Sequence, residues 1–398
     1  MKNKPSLLIL FLLVSFGSVS AVLFTPALPE IAKQLNLSQG AAEMTITLFL
    51  VGYAFGLLPY GPLSDRFGRK PPTYLGISLA ILGCLLVLLV EKFPYFPLLL
   101  TGRLLTALGS CVGLKIAFTM VGDSYEHQKA TRAISYLMLS FAIAPAIAIG
   151  IGGLLTSHFG WESCFYFQTA YSVFILILMF FLPETCQKKD PHALKIKTIA
   201  EGYFRKIKNK KLITCALMMG SGASVIYLFA AEAPFIGIER IGLSPGRYGA
   251  WNLVPSIGLV LGALLANTLS KRQGPIPSIL LGTASCIAFT ALMLGLFLVD
   301  LINPWTLFLP MLLIYVGESL VYANASSLIL SHAKNKSYAS AVMGFLCMGS
   351  CIVTLGLAGL LPAHKPTFMP LIFTAIALFM LLLLLRLRRI VKKEESAA

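Results

Sequence analysis

Twelve apolar stretches, each long enough to cross a lipid bilayer, limit what this chain can become. They fall at about residues 7–29, 42–60, 73–90, 98–122, 133–156, 164–182, 212–237, 248–270, 276–299, 304–331, 339–361 and 366–386. Inside hydrocarbon a backbone must satisfy its own hydrogen bonds, so each stretch is predicted to be helical. The alternation of a membrane barrel is absent. Only 12% of the 398 residues are charged, against about 25% in an ordinary soluble domain. The expected fold class is an all-α membrane protein of twelve transmembrane helices, with no room for a separate soluble domain.

The start of the chain resembles a secretory leader: Lys2 and Lys4, an apolar run from Leu7 to Phe16, then the small residues Ser18 to Ala21. Eleven more spans follow and Pro26 to Glu30 abut this one, so a retained first helix is expected. Orientation follows from Lys and Arg placement. With the N-terminus inside, 25 of the 32 basic residues fall in inner segments and five in outer ones; Arg103 and Lys115 lie within spans. Both termini are thus predicted to be cytoplasmic, in an inner (plasma) membrane. The net charge of +16 reads as a topology signal, and nucleic acid is not an expected partner.

The one long polar connection, 185–211, holds nine Lys and Arg against Asp190 and Glu201. It divides the chain into an N-terminal bundle, 1–184, and a C-terminal bundle, 212–398, of six helices each. Eight cysteines sit mostly in apolar stretches, so neither disulfides nor a metal site is expected. The five histidines, His127, His158, His192, His332 and His364, lie mostly in loops beside no nucleophile. No Walker, GxGxxG, HExxH or GxSxG pattern is present. An enzyme or an ATP-driven pump is disfavoured, and no cofactor is expected.

After the second span comes Gly61-Pro62-Leu63-Ser64-Asp65-Arg66-Phe67-Gly68-Arg69-Lys70. A tight turn between short-linked helices needs glycine, and acids and bases beside a helix end can form a breakable ion network. The decapeptide resembles the loop 2–3 signature of the major facilitator superfamily. That resemblance implies two six-helix bundles that rock about a central site. It also implies a cytoplasmic gate in which Asp65 and Arg69 meet an acid at the inner end of helix 4, here Asp123, with Gly61, Arg66 and Gly68 shaping the turn.

In the fifth span, Ala142, Pro145, Ala146, Gly150 and Gly153 belong to a run of small residues, those at 142, 146, 150 and 153 forming a ridge that lets a helix approach closely. The run is similar to the antiporter motif of helix 5, with alanines at its leading glycine positions. Pro26-Ala27-Leu28-Pro29, Leu182-Pro183-Glu184-Thr185, Gly242-Leu243-Ser244-Pro245 and Ala323-Asn324-Ala325 resemble the bicyclomycin-resistance (Bcr/CflA) type of twelve-helix drug/proton antiporter.

Charges inside spans are costly and mark pathways or fixed partners. Arg103 matches the helix 4 arginine to which the resemblance assigns proton coupling or substrate binding, although Ala107 replaces the usual glutamine. An ion pair or bonds to backbone carbonyls would equally account for it. Lys115, about 18 Å further along the helix, could face a cavity or snorkel inwards. Desolvation makes Glu318, deep in the tenth span, a candidate proton carrier. Glu232 lies near the outer end of the seventh span. Val22 stands where such antiporters usually carry an acid on helix 1. The first bundle is therefore expected to offer the buried cations Arg103 and Lys115 without a buried acid. Tyr53, Tyr136 and Tyr227, with Phe49, Phe55, Phe141 and Phe229, could line an amphipathic cavity or simply pack.

The expected function is secondary transport: proton-coupled efflux of small amphipathic compounds by a monomer in the lipid bilayer. The alternatives are transport, including import, of an anionic metabolite such as a siderophore and, from another class, a non-transporting membrane receptor.

Overall fold

The computed structural model describes residues 4–186, 189–191, 193, 209–330, 336–360 and 365–395. Most of the expected linker 185–211 lies outside these, as do His192, His332 and His364 and the side chains of His127, Phe141 and Ala142. Among the described residues the secondary structure is helical, with no strand. Twelve helices are long and apolar enough to cross a membrane, so the twelve-span, all-α expectation holds.

In chain order the helices are α1 (Leu7–Val22), α2 (Leu28–Gln34), α3 (Gln39–Phe67), α4 (Lys70–Leu88), α5 (Phe96–Ser110), α6 (Val112–Ser124), α7 (His127–Phe159) and α8 (Glu162–Phe180). There follow α9 (Lys210–Pro234), α10 (Pro245–Trp251), α11 (Leu253–Gln273), α12 (Pro275–Leu298), α13 (Pro304–Leu330), α14 (Lys336–Gly359) and α15 (Phe368–Glu395). The described residues fall into two compact units. One lies within Met1–Ile199 together with Ser244–Gly249, the other within Ala200–Leu243 together with Ala250–Ala398.

Local chemistry sets the helix ends. Pro26 has no N–H for the Val22 carbonyl, so α1 stops there and the Thr25 hydroxyl donates to that carbonyl instead, at 2.9 Å. Ser38 caps α3 by accepting from the Ala41 N–H at 3.2 Å. Asn209 does the same for α9 through Leu212 at 3.1 Å. The helix α3 runs on to Phe67 through Pro59 and Pro62, so most of the decapeptide expected to be a turn is helical. Gly68, at φ +101°, makes the turn almost alone, because an L side chain rarely adopts that conformation.

In the first unit α1 packs against α7 and α6, α3 against α5, and α4 against α5 and α8. In the second, α9 packs against α13, α14 and α15, while α13 also packs against α11 and α12. All eight cysteines are free thiols.

Candidate functional site: a charged turn and two buried ionisable groups

Arg69 follows the Gly68 turn and is drawn under it. Its Nη1 donates to Asp65 Oδ1 at 2.7 Å and to Ser64 Oγ at 3.1 Å. Its Nε donates to Asp123 Oδ2 at 2.9 Å, and Nη2 to Asp123 Oδ1 at 3.3 Å. A planar guanidinium grips the Asp123 carboxylate with two donors as a lysine could not. Burial alone would weaken the Arg69 charge, but its hydrogen bonds to Asp123 and Asp65 outweigh it and hold the guanidinium protonated above its ordinary value.

The predicted trio Asp65, Arg69 and Asp123 is therefore assembled, with two further members that sequence reasoning quoted only as a family mark. Thr185 Oγ1 donates to Asp123 Oδ2 at 2.9 Å. Glu184 accepts the backbone N–H groups of Arg69 at 2.9 Å and Lys70 at 3.0 Å, which covers the open N-terminus of α4. Lys70 Nζ returns to the end of α8, donating to the Leu182 carbonyl at 2.8 Å. Arg66 Nη1 donates to the Pro191 carbonyl, and the Asp190 N–H to the Asp65 carbonyl, each at 2.9 Å. Gly61 lies on the helix, not in a turn, and a Cβ there would sit 3.4 Å from Lys115 Cε. Lys115 is half-buried, and Asp65 and Arg69 are the charged groups that act on it.

Arg103 is fully buried. Its Nη1 donates to the Ser20 carbonyl at 2.8 Å and Nη2 to the Ala21 carbonyl at 3.2 Å. These carbonyls end α1, where Pro26 has interrupted the helical ladder. The guanidinium lies between the rings of Phe24 and Phe49, at 4.0 and 4.5 Å from their centroids. Arg103 thus satisfies the end of a broken helix through backbone bonds and cation–π contacts.

The expectation of a first bundle without a buried acid is overturned. Glu43 is 6% exposed and accepts from Gln39 Nε2 at 2.7 Å. Helix α3 begins at Gln39, so Glu43 sits in its second turn, on the face that packs inwards.

In the second unit Glu318, on α13, is 3% exposed, and neither carboxyl oxygen has a hydrogen-bond partner. It faces Gly222 of α9, where a Cβ would lie 3.6 Å from Glu318 Cβ and Cγ. Glu232 is half-buried in the last turn of α9, just before a π-helical turn, Phe235–Arg240.

The aromatic candidates differ in burial. Tyr53 is buried and stacks on Phe49 at 6.2 Å. Phe229 is buried edge-on against Phe308 and Tyr315. Tyr227 is half-buried, whereas Tyr136 and Phe55 are exposed, Tyr136 lying 5.1 Å from the Phe11 ring.

On α7 two faces carry close approaches: Gly150 and Gly153 of the predicted ridge lie against the backbone of α10, and a second face meets α1 and the residue after it. Ser140 Oγ donates to the Phe11 carbonyl at 2.7 Å, and a Cβ on Gly152 would strike the Leu23 carbonyl. The i+4 rule then places Ala144 and Ala148 on the same face; both are buried. Ala146 is buried and Pro145 and Gly150 are half-buried, a Cβ at Gly150 meeting nothing nearer than 4.0 Å. Gly153 abuts the Pro245 backbone.

The Major Facilitator Superfamily model matches residues 8–357. Multidrug resistance protein D of Escherichia coli K12 is 26% identical over 328 residues, covering 82% of this chain and 81% of its own. A bicyclomycin resistance protein homolog of Haemophilus influenzae is 25% identical, covering 67% and 66%. Two solved structures share the fold: a D-xylose–proton symporter (TM-score 0.75, 14% identity, covering 94% and 96%) and the xylose transporter XylE of E. coli, partially occluded and inward open (0.76, 12%, 96% and 96%).

Proposed function

The chain belongs to the major facilitator superfamily, and from that premise we propose that it exports small amphipathic compounds by alternating access, driven by a proton gradient. It works in the inner membrane with both termini in the cytoplasm. The relatives named for multidrug and bicyclomycin resistance support export.

The observation that carries proton coupling is Glu318, almost fully buried with both oxygens unpartnered. A buried carboxylate without hydrogen bonds is costly, and a proton removes the charged part of that cost without rearranging any partner. Asp65, Arg69 and Asp123 serve as the inner gate, because an ion network at a helix–helix turn can be broken and remade as the helices move. An anionic substrate finds less support, since Arg103 is fully buried, donates from two nitrogens to α1 carbonyls and lies against two aromatic rings.

Reconstituted vesicles test the coupling. Glu318→Gln is expected to abolish transport driven by a pH gradient while sparing substrate exchange at equal pH. Retained pH drive in that variant removes Glu318 from the mechanism.

A further inference from the structure

The second unit holds a pair of buried thiols that proton coupling does not use. Cys347 and Cys351 are one turn apart on α14, where i,i+4 side chains are neighbours at about 5–6 Å between Cβ atoms. Both are buried, at 1% and 0% exposure. Their thiols act on each other, and Cys351 Sγ also donates to the Cys347 carbonyl at 3.3 Å. They face α9, with Cys351 Sγ 3.9 Å from the Gly220 carbonyl and Ser350 pressed against Gly220. The unpartnered carboxyl of Glu318 acts electrostatically on Cys351 from α13. Tyr227 and Tyr322 are electrostatic neighbours of both thiols. Tyr322 is 38% exposed and Tyr227 half-buried.

We propose that Cys347 and Cys351 form a dithiol site that takes a trivalent organic arsenical. Three features choose this ligand class. Thiols select soft, thiophilic centres. Among the described residues no three of His, Cys, Asp and Glu stand together as a metal site, which disfavours an ion that needs three or four ligands. A monosubstituted arsenical needs two thiols and no more. The reactants and the product are also neutral, so the reaction places no charge in an apolar interior.

The chemistry balances without a redox partner. The oxide R–As=O loses its oxygen, two As–S bonds form, and the oxygen leaves as water with the two thiol protons. Arsenic stays trivalent throughout.

Phenylarsine oxide added to the purified full-length protein in detergent tests the site by mass spectrometry. One phenylarsenic group per chain is expected, mapped to the peptide that holds Cys347 and Cys351. A small dithiol should release it and a monothiol should not. C347S and C351S are each expected to weaken retention by about a hundredfold or more, because the second attachment is intramolecular in the parent. C164S and C215S should leave retention unchanged. An adduct mapped to other cysteines, its persistence in both serine variants, or no adduct in the parent overturns the proposal. Should one serine variant fail to fold, the peptide map and dithiol release of the parent protein decide. None of these readouts depends on proton coupling, so this site and the proposed function can fail separately.

Discussion

Glu184 Oε1 accepts the backbone N–H of Arg69 at 2.9 Å, and its second oxygen takes the N–H of Lys70 at 3.0 Å. A carboxylate from the end of the sixth span thus caps the helix that begins the third. Glu184→Ala leaves those two donors open and is expected to cost about 1 kcal/mol, the usual loss of an N-terminal cap. Glu184→Gln keeps an acceptor and should cost less. Burial pushes the Glu184 carboxyl up, but the N–H groups of Lys70, Arg69, Cys186 and Thr185 outweigh it and hold it below 4.5. The unfolded carboxyl therefore binds its proton at a higher pH than the folded one. The cap's contribution is complete above the ordinary carboxylate value and is lost as pH falls beneath it. Melting curves in detergent should show a constant gap between parent and Glu184→Ala from about pH 7 to about pH 5, closing at lower pH. A gap that widens on acidification contradicts the cap.

Asp123 and Asp65 both hold Arg69, but they are not equal. The Asp123 side chain is 22% exposed and the Asp65 side chain 56%. Asp123 takes two guanidinium nitrogens and the Thr185 hydroxyl, and Asp65 takes one nitrogen. Asp123→Asn is expected to cost about 1.5–3 kcal/mol, the range for hydrogen bonds to charged groups. Asp65→Asn should cost less than about 1 kcal/mol, as for solvated ion pairs, and its effect should shrink in high salt. Thermal melts at low and high salt check the order. If the gate reading holds, flux falls in both variants and falls further in Asp123→Asn.

The ion network of Asp65, Arg69 and Asp123 was legible in the sequence because its residues lie in one decapeptide plus a single acid at the end of a span. Glu184 and Thr185 were visible only as part of a family mark, since nothing local says which helix end a distant carboxylate will cap. Glu43 was missed for a related reason. It stands in the second turn of α3, where composition reads as a membrane edge, and only the packed helix shows that its side chain turns inward. On α7 the small residues were plain, but the ridge facing α1 is set by three-dimensional phase, which a run with small residues on several faces leaves open. Glu318 is the opposite case: one acid in an otherwise apolar run, found by position alone.

Arg103→Lys separates anchoring from simple charge. The guanidinium reaches two successive carbonyls, Ser20 and Ala21, and fills the gap between Phe24 and Phe49. A lysine keeps the charge but has no fork and no flat face. At least one carbonyl loses its charged donor, at a cost of about 1.5–3 kcal/mol. The melting temperature should fall and the end of α1 should become more open to proteases. A lysine variant as stable as the parent would return Arg103 to the list of groups free to meet a substrate.

Gly152→Ala and Gly150→Ala differ by two residues on one helix and are expected to have opposite signs. A methyl on Gly152 would run into the Leu23 carbonyl. That oxygen belongs to the backbone and cannot swing aside as the tip of a side chain would, so α1 and α7 must separate. Overpacking of this kind costs about 1–3 kcal/mol, and it falls at the same end of α1 that Arg103 holds. At Gly150 the nearest atom to a new methyl is the Gly249 carbonyl at 4.0 Å, an ordinary contact. There the substitution removes backbone freedom from the unfolded chain and is expected to stabilise by about 0.4–1 kcal/mol. Paired melting curves in one detergent decide the matter: a lowered midpoint for Gly152→Ala with an equal or raised one for Gly150→Ala supports the α1-facing ridge. The reverse order would contradict the close approach of Gly152 to the Leu23 carbonyl.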